Sequence, residues 1–181
     1  ADKKPLVING ALLKNYENQP GIPNVILNDG EYCVIEADES DGSFLKLHPH
    51  IAVVTNVEDD HMDHYGTMEN IIKAFRQFIQ NVDKETGYAV LCFDNENLRN
   101  IAKTVDRKYY TYAIDHEADY RAINIKTGGK GICFDVVHGE EELGHISLNI
   151  PGRHNVLDAM ACIVTGLTMG VSFEKMAAGL A

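Results

Sequence analysis

Four stretches of the chain are almost continuously apolar and rich in β-branched residues: "PLVIN" at 5–9, "YCVIEA" at 32–37, "IAVVTNV" at 51–57 and "YAVLCFD" at 88–94. Runs of this length without polar alternation predict strands buried on both faces, as in a parallel sheet. A fifth run, "KYYTYAI" at 108–114, is more amphipathic and predicts a strand nearer an edge. Between them, residues 67–82 repeat apolar side chains at helical spacing (Met68, Ile71, Ile72, Phe75, Phe78, Ile79, Val82). Thr67 suits the N-cap of that helix, and Glu69 suits its positive end. A shorter helix is predicted over 95–103. Strand and helix alternating in this way indicate an α/β layer fold with a mostly parallel sheet flanked by helices.

The pattern changes near residue 119. "DYRAINIKTGGKGICFDVVHGEEELGHISLNI" alternates polar and apolar positions and breaks at "TGG" and "HGEEELG", which predicts a small antiparallel β-meander. "PGRHNVLDAMACIVTGLTMG" then returns to a helix, with His154 or Asn155 near its start and Gly170 near its end. The division expected is a parallel α/β part over 1–118, the meander over 119–150 and helices over 151–181. "TGGKGI", beginning at Thr127, lacks the GxxxxGK[ST] spacing of a phosphate loop and is read as a hairpin turn.

Composition narrows the function. A net charge of −11 argues against nucleic acid, whose phosphates supply most of that affinity, although a metal can screen a nucleotide's phosphates. No apolar stretch approaches the roughly 18 residues of a membrane span, and "ADKKPLVING" has no signal-peptide architecture. The four cysteines (Cys33, Cys92, Cys133, Cys162) sit mostly among apolar neighbours with no CxxC pair, and are read as small core residues of a reducing compartment.

Two constellations carry candidate chemistry. After "IAVVTNV" come Glu58, Asp59, Asp60, His61, Asp63 and His64, and after "YCVI" comes Glu36. Ligands of open α/β sheets bind beyond the carboxyl ends of strands. If the two tips are neighbours, Glu36 and His61 converge, and a carboxylate with an imidazole suits Mg²⁺ or Mn²⁺ at a nucleotide. Solvated loop acids and helix caps are the plainer alternative. The second constellation is "PGRHNVLDAM", in which Arg153, His154 and Asn155 open a helix whose free N–H groups favour anions. Asn155 and Asp158 suit a purine edge, and an ordinary N-cap with an exposed arginine is the alternative. The other histidines (His48, His50, His116, His138, His145) are read as scattered loop residues.

"EADESDGSFLKLHPHIAVVTNVEDDHMDHYGTMENI" and "NIPGRHNVLDAMACI", in this order and about ninety residues apart, resemble the central, ATP-binding domain of the Mur ligases. The resemblance covers essentially the whole chain. It implies a phosphate-loop-NTPase-like core and an ATP-dependent ligase of bacterial, cytoplasmic cell-wall precursor synthesis. The "EADESDGSF" form points, within the family, to the member that joins L-alanine to the carboxylate of UDP-N-acetylmuramate through an acyl phosphate. By position, Glu36 and His61 match the family's metal-binding pair, and Asn155 and Asp158 fall where the family contacts adenine, with His154 and Arg153 beside them. Asp158 stands where relatives often carry Asn, which makes that contact acceptor-only. Phe75 stands where many relatives carry a carbamylated lysine, and Lys73 lies two positions away on another face of the helix.

The resemblance also implies that the family's phosphate loop, its UDP-binding N-terminal domain and its C-terminal domain are absent from these 181 residues. Residues 1–181 alone are therefore expected to turn over negligible ATP. Two other readings stand beside this one. "DDHMDHY" partly mimics HxHxDH of dinuclear metallohydrolases, with Asp59 in place of the first histidine. The other is a non-catalytic nucleotide-binding module.

Overall fold

A computed structural model describes residues 3–13, 24–129 and 131–181. These fall into two compact units, residues 1–44 and 45–181.

The first unit carries a three-stranded sheet: β1 (Leu6–Ile8), β2 (Val25–Ile26) and β3 (Cys33–Ile35) in the order β2–β1–β3. β1 runs parallel to β3, with Val7 opposite Val34, and antiparallel to β2. Both predicted runs form strands here, but their burial differs from the expectation. All three β3 residues are exposed, Val34 by 52% and Ile35 by 44%. β3 is an end strand of this sheet, and among the described residues of this unit no α-helix covers it.

The second unit is built on six strands in sequence order: β4 (Ile51–Val54), β5 (Tyr88–Cys92), β6 (Tyr109–Ala113), β7 (Tyr120–Gly128), β8 (Gly131–His138) and β9 (Glu141–Leu148). β4 through β7 are parallel, and β7 through β9 antiparallel. The meander is thus a continuation of the parallel sheet, joined where Tyr112 pairs with Tyr120. The turn at "TGGKGI" links β7 to β8 as expected, with Lys130 outside the described residues.

Strand character follows position. β5 has neighbours on both sides and is buried throughout, which is what its unbroken apolar run requires. β4 is an end strand, and Val53 is exposed. The helices are α1 (Met62–Tyr65), α2 (Met68–Gln80), α3 (Glu96–Ala102), α4 (Arg153–Thr168) and α5 (Phe173–Leu180).

Thr67 caps α2 by accepting from the N–H of Asn70, and Asn95 caps α3 by accepting from Leu98. Ile71 and Ile79 of α2, and Leu98 and Ile101 of α3, point into the core. α4 packs on β5, β6 and β7. The Tyr88 hydroxyl bonds to Thr168 Oγ1 (2.9 Å), so one face of β5 meets α4, and the alternation of a strand turns Ala89 and Leu91 to the opposite face.

The cysteine expectation holds for part of the set. Cys92 is buried and Cys133 half-buried, whereas Cys33 and Cys162 are exposed. Cys33 lies on the open end strand, and Cys162 follows Asp158 by four residues on α4.

Candidate functional site

Parallel registry aligns Val54 with Leu91, and Cys92 with Tyr112, so β4, β5 and β6 end together along one edge of the sheet. Three loops leave from that edge. The first, after β4, carries His61. It is fixed through Val57, a 1% exposed residue whose carbonyl accepts from the side-chain amides of Asn97 (2.8 Å) and Asn95 (3.4 Å). His61 sits at the N-terminal end of α1 with a left-handed backbone (φ 54°, ψ 38°), and its side chain does not cap the helix. For a residue other than glycine, that conformation carries a cost and occurs most at turns and functional positions.

The second loop follows β5 and places Asp94, and the third follows β6 and carries residues 114–116. Asp94 joins them. Its Oδ2 accepts from the N–H of Ile114 (2.7 Å), and its Oδ1 from the N–H groups of Asp115 (3.0 Å) and His116 (3.1 Å). His116 Nδ1 lies 3.0 Å from the same oxygen, which fixes the tautomer as Nδ1–H. Burial alone pushes the Asp94 carboxyl up. The Ile114 N–H, the His116 ring and the Asp115 N–H outweigh it, and the net shift is downward.

Arg153, the first residue of α4, reaches this loop through Nη2 to Asp115 Oδ2 (2.6 Å). The rest of the α4 start is organised locally. Asn155 Nδ2 donates to the Pro151 carbonyl (2.6 Å), and Gly152, with φ 113°, is the N-cap. The His154 ring folds over Gly152 closely enough that a Cβ there would lie 2.6 Å from His154 Cε1. Asp158 is exposed one turn further on.

Glu36 belongs to the first unit. Its N–H donates to the Ile8 carbonyl, continuing the ladder between β1 and β3, and its Oε2 accepts from the N–H of Gly10 (2.6 Å). The carboxylate is exposed. One oxygen is held by the backbone while the group stays open to solvent, so it fits an oxygen-seeking divalent cation that keeps several waters.

The sequence reading expected Glu36 and His61 at strand tips and Arg153 at the start of a helix; it gave no role to Asp94, Asp115 or His116. The signal for Asp94 was present: an acid directly after the buried run of β5 occupies the carboxyl tip of a parallel strand. Several histidines read as loop residues have defined partners. His145 pairs with Asp135 (2.6 Å) across β8 and β9, and His138 stacks on Tyr120. Lys73 is exposed and paired with Glu69 (2.8 Å). The dinuclear reading needs three or more ligands together, and among the described residues no such group of His, Cys, Asp or Glu is assembled.

Residues 5–166 match the family described as the Mur ligase middle domain. The chain is 48% identical over 158 residues to the UDP-N-acetylmuramate–L-alanine ligase of Pelotomaculum thermopropionicum, covering 87% of this chain and 34% of that protein. It is 43% identical over 175 residues to the enzyme of the same name from Desulfatibacillum aliphaticivorans, covering 97% of this chain and 37% of that protein. The chain therefore spans about a third of the length of these relatives. Among solved structures, UDP-N-acetylmuramate–alanine ligase of Thermotoga maritima superposes with a TM-score of 0.81 at 23% identity, over 99% of this chain and 38% of that one. MurF ligase of the same organism, crystallised with ADP, gives 0.74 at 19% identity over 97% of this chain and 42% of that one. With the two sequence motifs, the parallel sheet and a family match over nearly its whole length, the chain belongs to the Mur ligase middle-domain family.

Proposed function

We propose that this chain is the ATP-handling middle part of a ligase that joins L-alanine to the carboxylate of UDP-N-acetylmuramate in peptidoglycan precursor synthesis. The observation that carries this is the 43% identity to an enzyme of that name over 97% of the chain. The proposed site residues are Glu36 and His61 toward a divalent cation, Mg²⁺ or Mn²⁺, and Arg153, His154, Asn155 and Asp158 toward the nucleotide. The partners are UDP-N-acetylmuramate, L-alanine and the remaining domains of the longer ligase. The setting proposed is the bacterial cytoplasm. Among the described residues no helix is long and apolar enough to cross a membrane.

In this reading a muramoyl carboxylate oxygen forms a bond to the γ-phosphorus as ADP leaves. The alanine amine then bonds to the acyl carbon, and phosphate departs as the amide forms and the amine loses its proton. Two anionic reactants must be brought together, so positioning and charge compensation carry most of the catalysis. A bound cation supplies that compensation. Glu36 and His61 would hold it, and the amide anchors at Val57 keep the His61 loop in place. The free N–H groups at the start of α4 and the Arg153 guanidinium receive negative charge, and the folded-back His154 and the tethered Asn155 present a preformed polar surface.

The test is phosphate release by the longer ligase with ATP, UDP-N-acetylmuramate and each of several amino acids. L-Alanine-dependent release with formation of the amide is expected. Release that ignores the amino acid, or requires a peptide-bearing UDP-sugar, would replace this assignment.

A further inference from the structure

Asp94 is assigned no role by the reaction, yet one carboxylate gathers three consecutive backbone N–H groups and an imidazole. Its side chain is only 15% exposed, so this arrangement is made against a desolvation cost. Loop N–H groups at a sheet edge are otherwise satisfied by water at no such cost. What the arrangement achieves is a rigid 114–116 segment, and that segment presents Asp115 to Arg153. The Asp115–Arg153 pair is itself well exposed, so it adds little to stability and acts chiefly on orientation. Arg153 moreover stands at the positive end of a 16-residue helix, where a cation is disfavoured. A guanidinium kept there against the helix dipole and steered by a fixed acid is suited to meeting an anion that approaches the same helix end.

We propose that Asp94 is a positioning residue for nucleotide binding: it orders residues 114–116 so that Asp115 aims the Arg153 guanidinium at the nucleotide. This rests on the reading of the α4 start as a nucleotide contact. The experiment is steady-state kinetics of the longer ligase in a double-mutant cycle. Arg153→Ala is expected to raise KM for ATP. Asp94→Asn is expected to raise it about fivefold, consistent with loosening one charge-assisted contact, with kcat within about twofold and KM for L-alanine unchanged. In the Arg153→Ala background, Asp94→Asn is expected to add nothing, because there is no guanidinium left to aim.

An unchanged KM for ATP in Arg153→Ala overturns the nucleotide reading itself. A raised KM in Arg153→Ala, with no effect of Asp94→Asn or with the same effect in both backgrounds, overturns the positioning role and leaves the nucleotide reading standing. Asp115→Asn leaves the acceptors on Asp94 in place and replaces Asp94→Asn should that variant not fold. The same ATP-specific, non-additive rise is expected from it. A fall in KM for ATP would make Asp115 a competitor for Arg153 and end the proposal.

Discussion

The N–H of Gly10 donates to Oε2 of Glu36 across 2.6 Å, so the loop after β1 holds the acid at the end of β3. A Cβ at position 10 would lie 3.0 Å from that oxygen, which is too close unless the carboxylate moves. Gly10→Ala is therefore expected to shift Glu36 by a few tenths of an ångström with little loss of stability, about 0.5 kcal/mol or less for such an exposed site. If Glu36 serves the cation, the longer ligase carrying Gly10→Ala will need several-fold more Mg²⁺ or Mn²⁺ for half-maximal rate. Metal titration checks this, and an unaltered titration curve removes Glu36 from the cation site.

His61 separates a backbone effect from a side-chain effect. Its left-handed backbone costs alanine roughly 1 kcal/mol more than glycine. His61→Gly is expected to melt above His61→Ala by a difference of that size. If His61 serves the proposed reaction, the longer ligase carrying either variant should lose most ligation, because both lack the imidazole. Thermal melts and ligation rates measured on the pair decide it. Equal activity in wild type and either variant would take His61 out of the chemistry.

Much of this architecture could be read from periodicity. The apolar stripe from Met68 to Ile79 lies on α2, which ends at Gln80 and leaves Val82 just beyond it, with the Thr67 cap where it was expected, and the alternation after residue 119 is the antiparallel meander. β5 was legible because a fully buried strand allows only apolar side chains at every position. The exposure of Val34 and Val53 was not, because whether a strand sits centrally or at the end of a sheet is decided by tertiary neighbours. His61 and Arg153 were legible as polar residues in recognisable motifs. Asp94, Asp115 and His116 are brought together by two loops 20 to 22 residues apart in sequence, a proximity set by strand registry that no local pattern encodes.

Asp94 also gives a pH signature. Its folded-state pKa is depressed, with the N–H of Ile114 and the His116 ring overcoming the upward push of burial. A depressed carboxyl contributes stability above its unfolded pKa, about 3.9, and that contribution disappears as pH falls through the folded value. Asp94→Asn removes the charged acceptor and is expected to cost about 1–2 kcal/mol near neutrality. The penalty should shrink as pH falls below about 4, where the carboxyl of the unfolded chain protonates, and disappear only once pH is below the depressed folded value. Thermal melts of both proteins between pH 2 and 7 test this. A gap between the two that stays constant over the whole range contradicts it.

Tyr112 lies fully buried on β6, and its hydroxyl has no hydrogen-bond partner of good geometry among the described residues. The Cys92 thiol near it is a weak partner at best, and burial keeps the phenol protonated far above its ordinary range. Removing an unsatisfied buried hydroxyl while keeping the ring recovers its desolvation cost. Tyr112→Phe is expected to be neutral or to stabilise by up to about 1 kcal/mol. Chemical denaturation measures it, and a loss of more than about 1 kcal/mol would mean the hydroxyl has a partner such as an ordered water.

Gly144 on β9 faces Val136 beside a register shift and has φ 145°, while α5 presses Phe173 against it. A Cβ there would stand 2.6 Å from Phe173 Cε1. Gly144→Ala therefore meets two separate penalties, a backbone one and a steric one, and is expected to destabilise by about 2–4 kcal/mol. Phe173→Ala alone loses the ring's packing on the sheet. In the double variant the alanine methyl occupies part of the vacated space, so the two costs are expected to sum to less than their separate values by about 1 kcal/mol. The backbone penalty survives in the double variant, which therefore stays less stable than Phe173→Ala alone. Denaturant melts of the four proteins resolve both parts. Simple additivity would show that the ring and residue 144 do not meet, and full recovery to the Phe173→Ala level would show that the backbone conformation at 144 carries no cost.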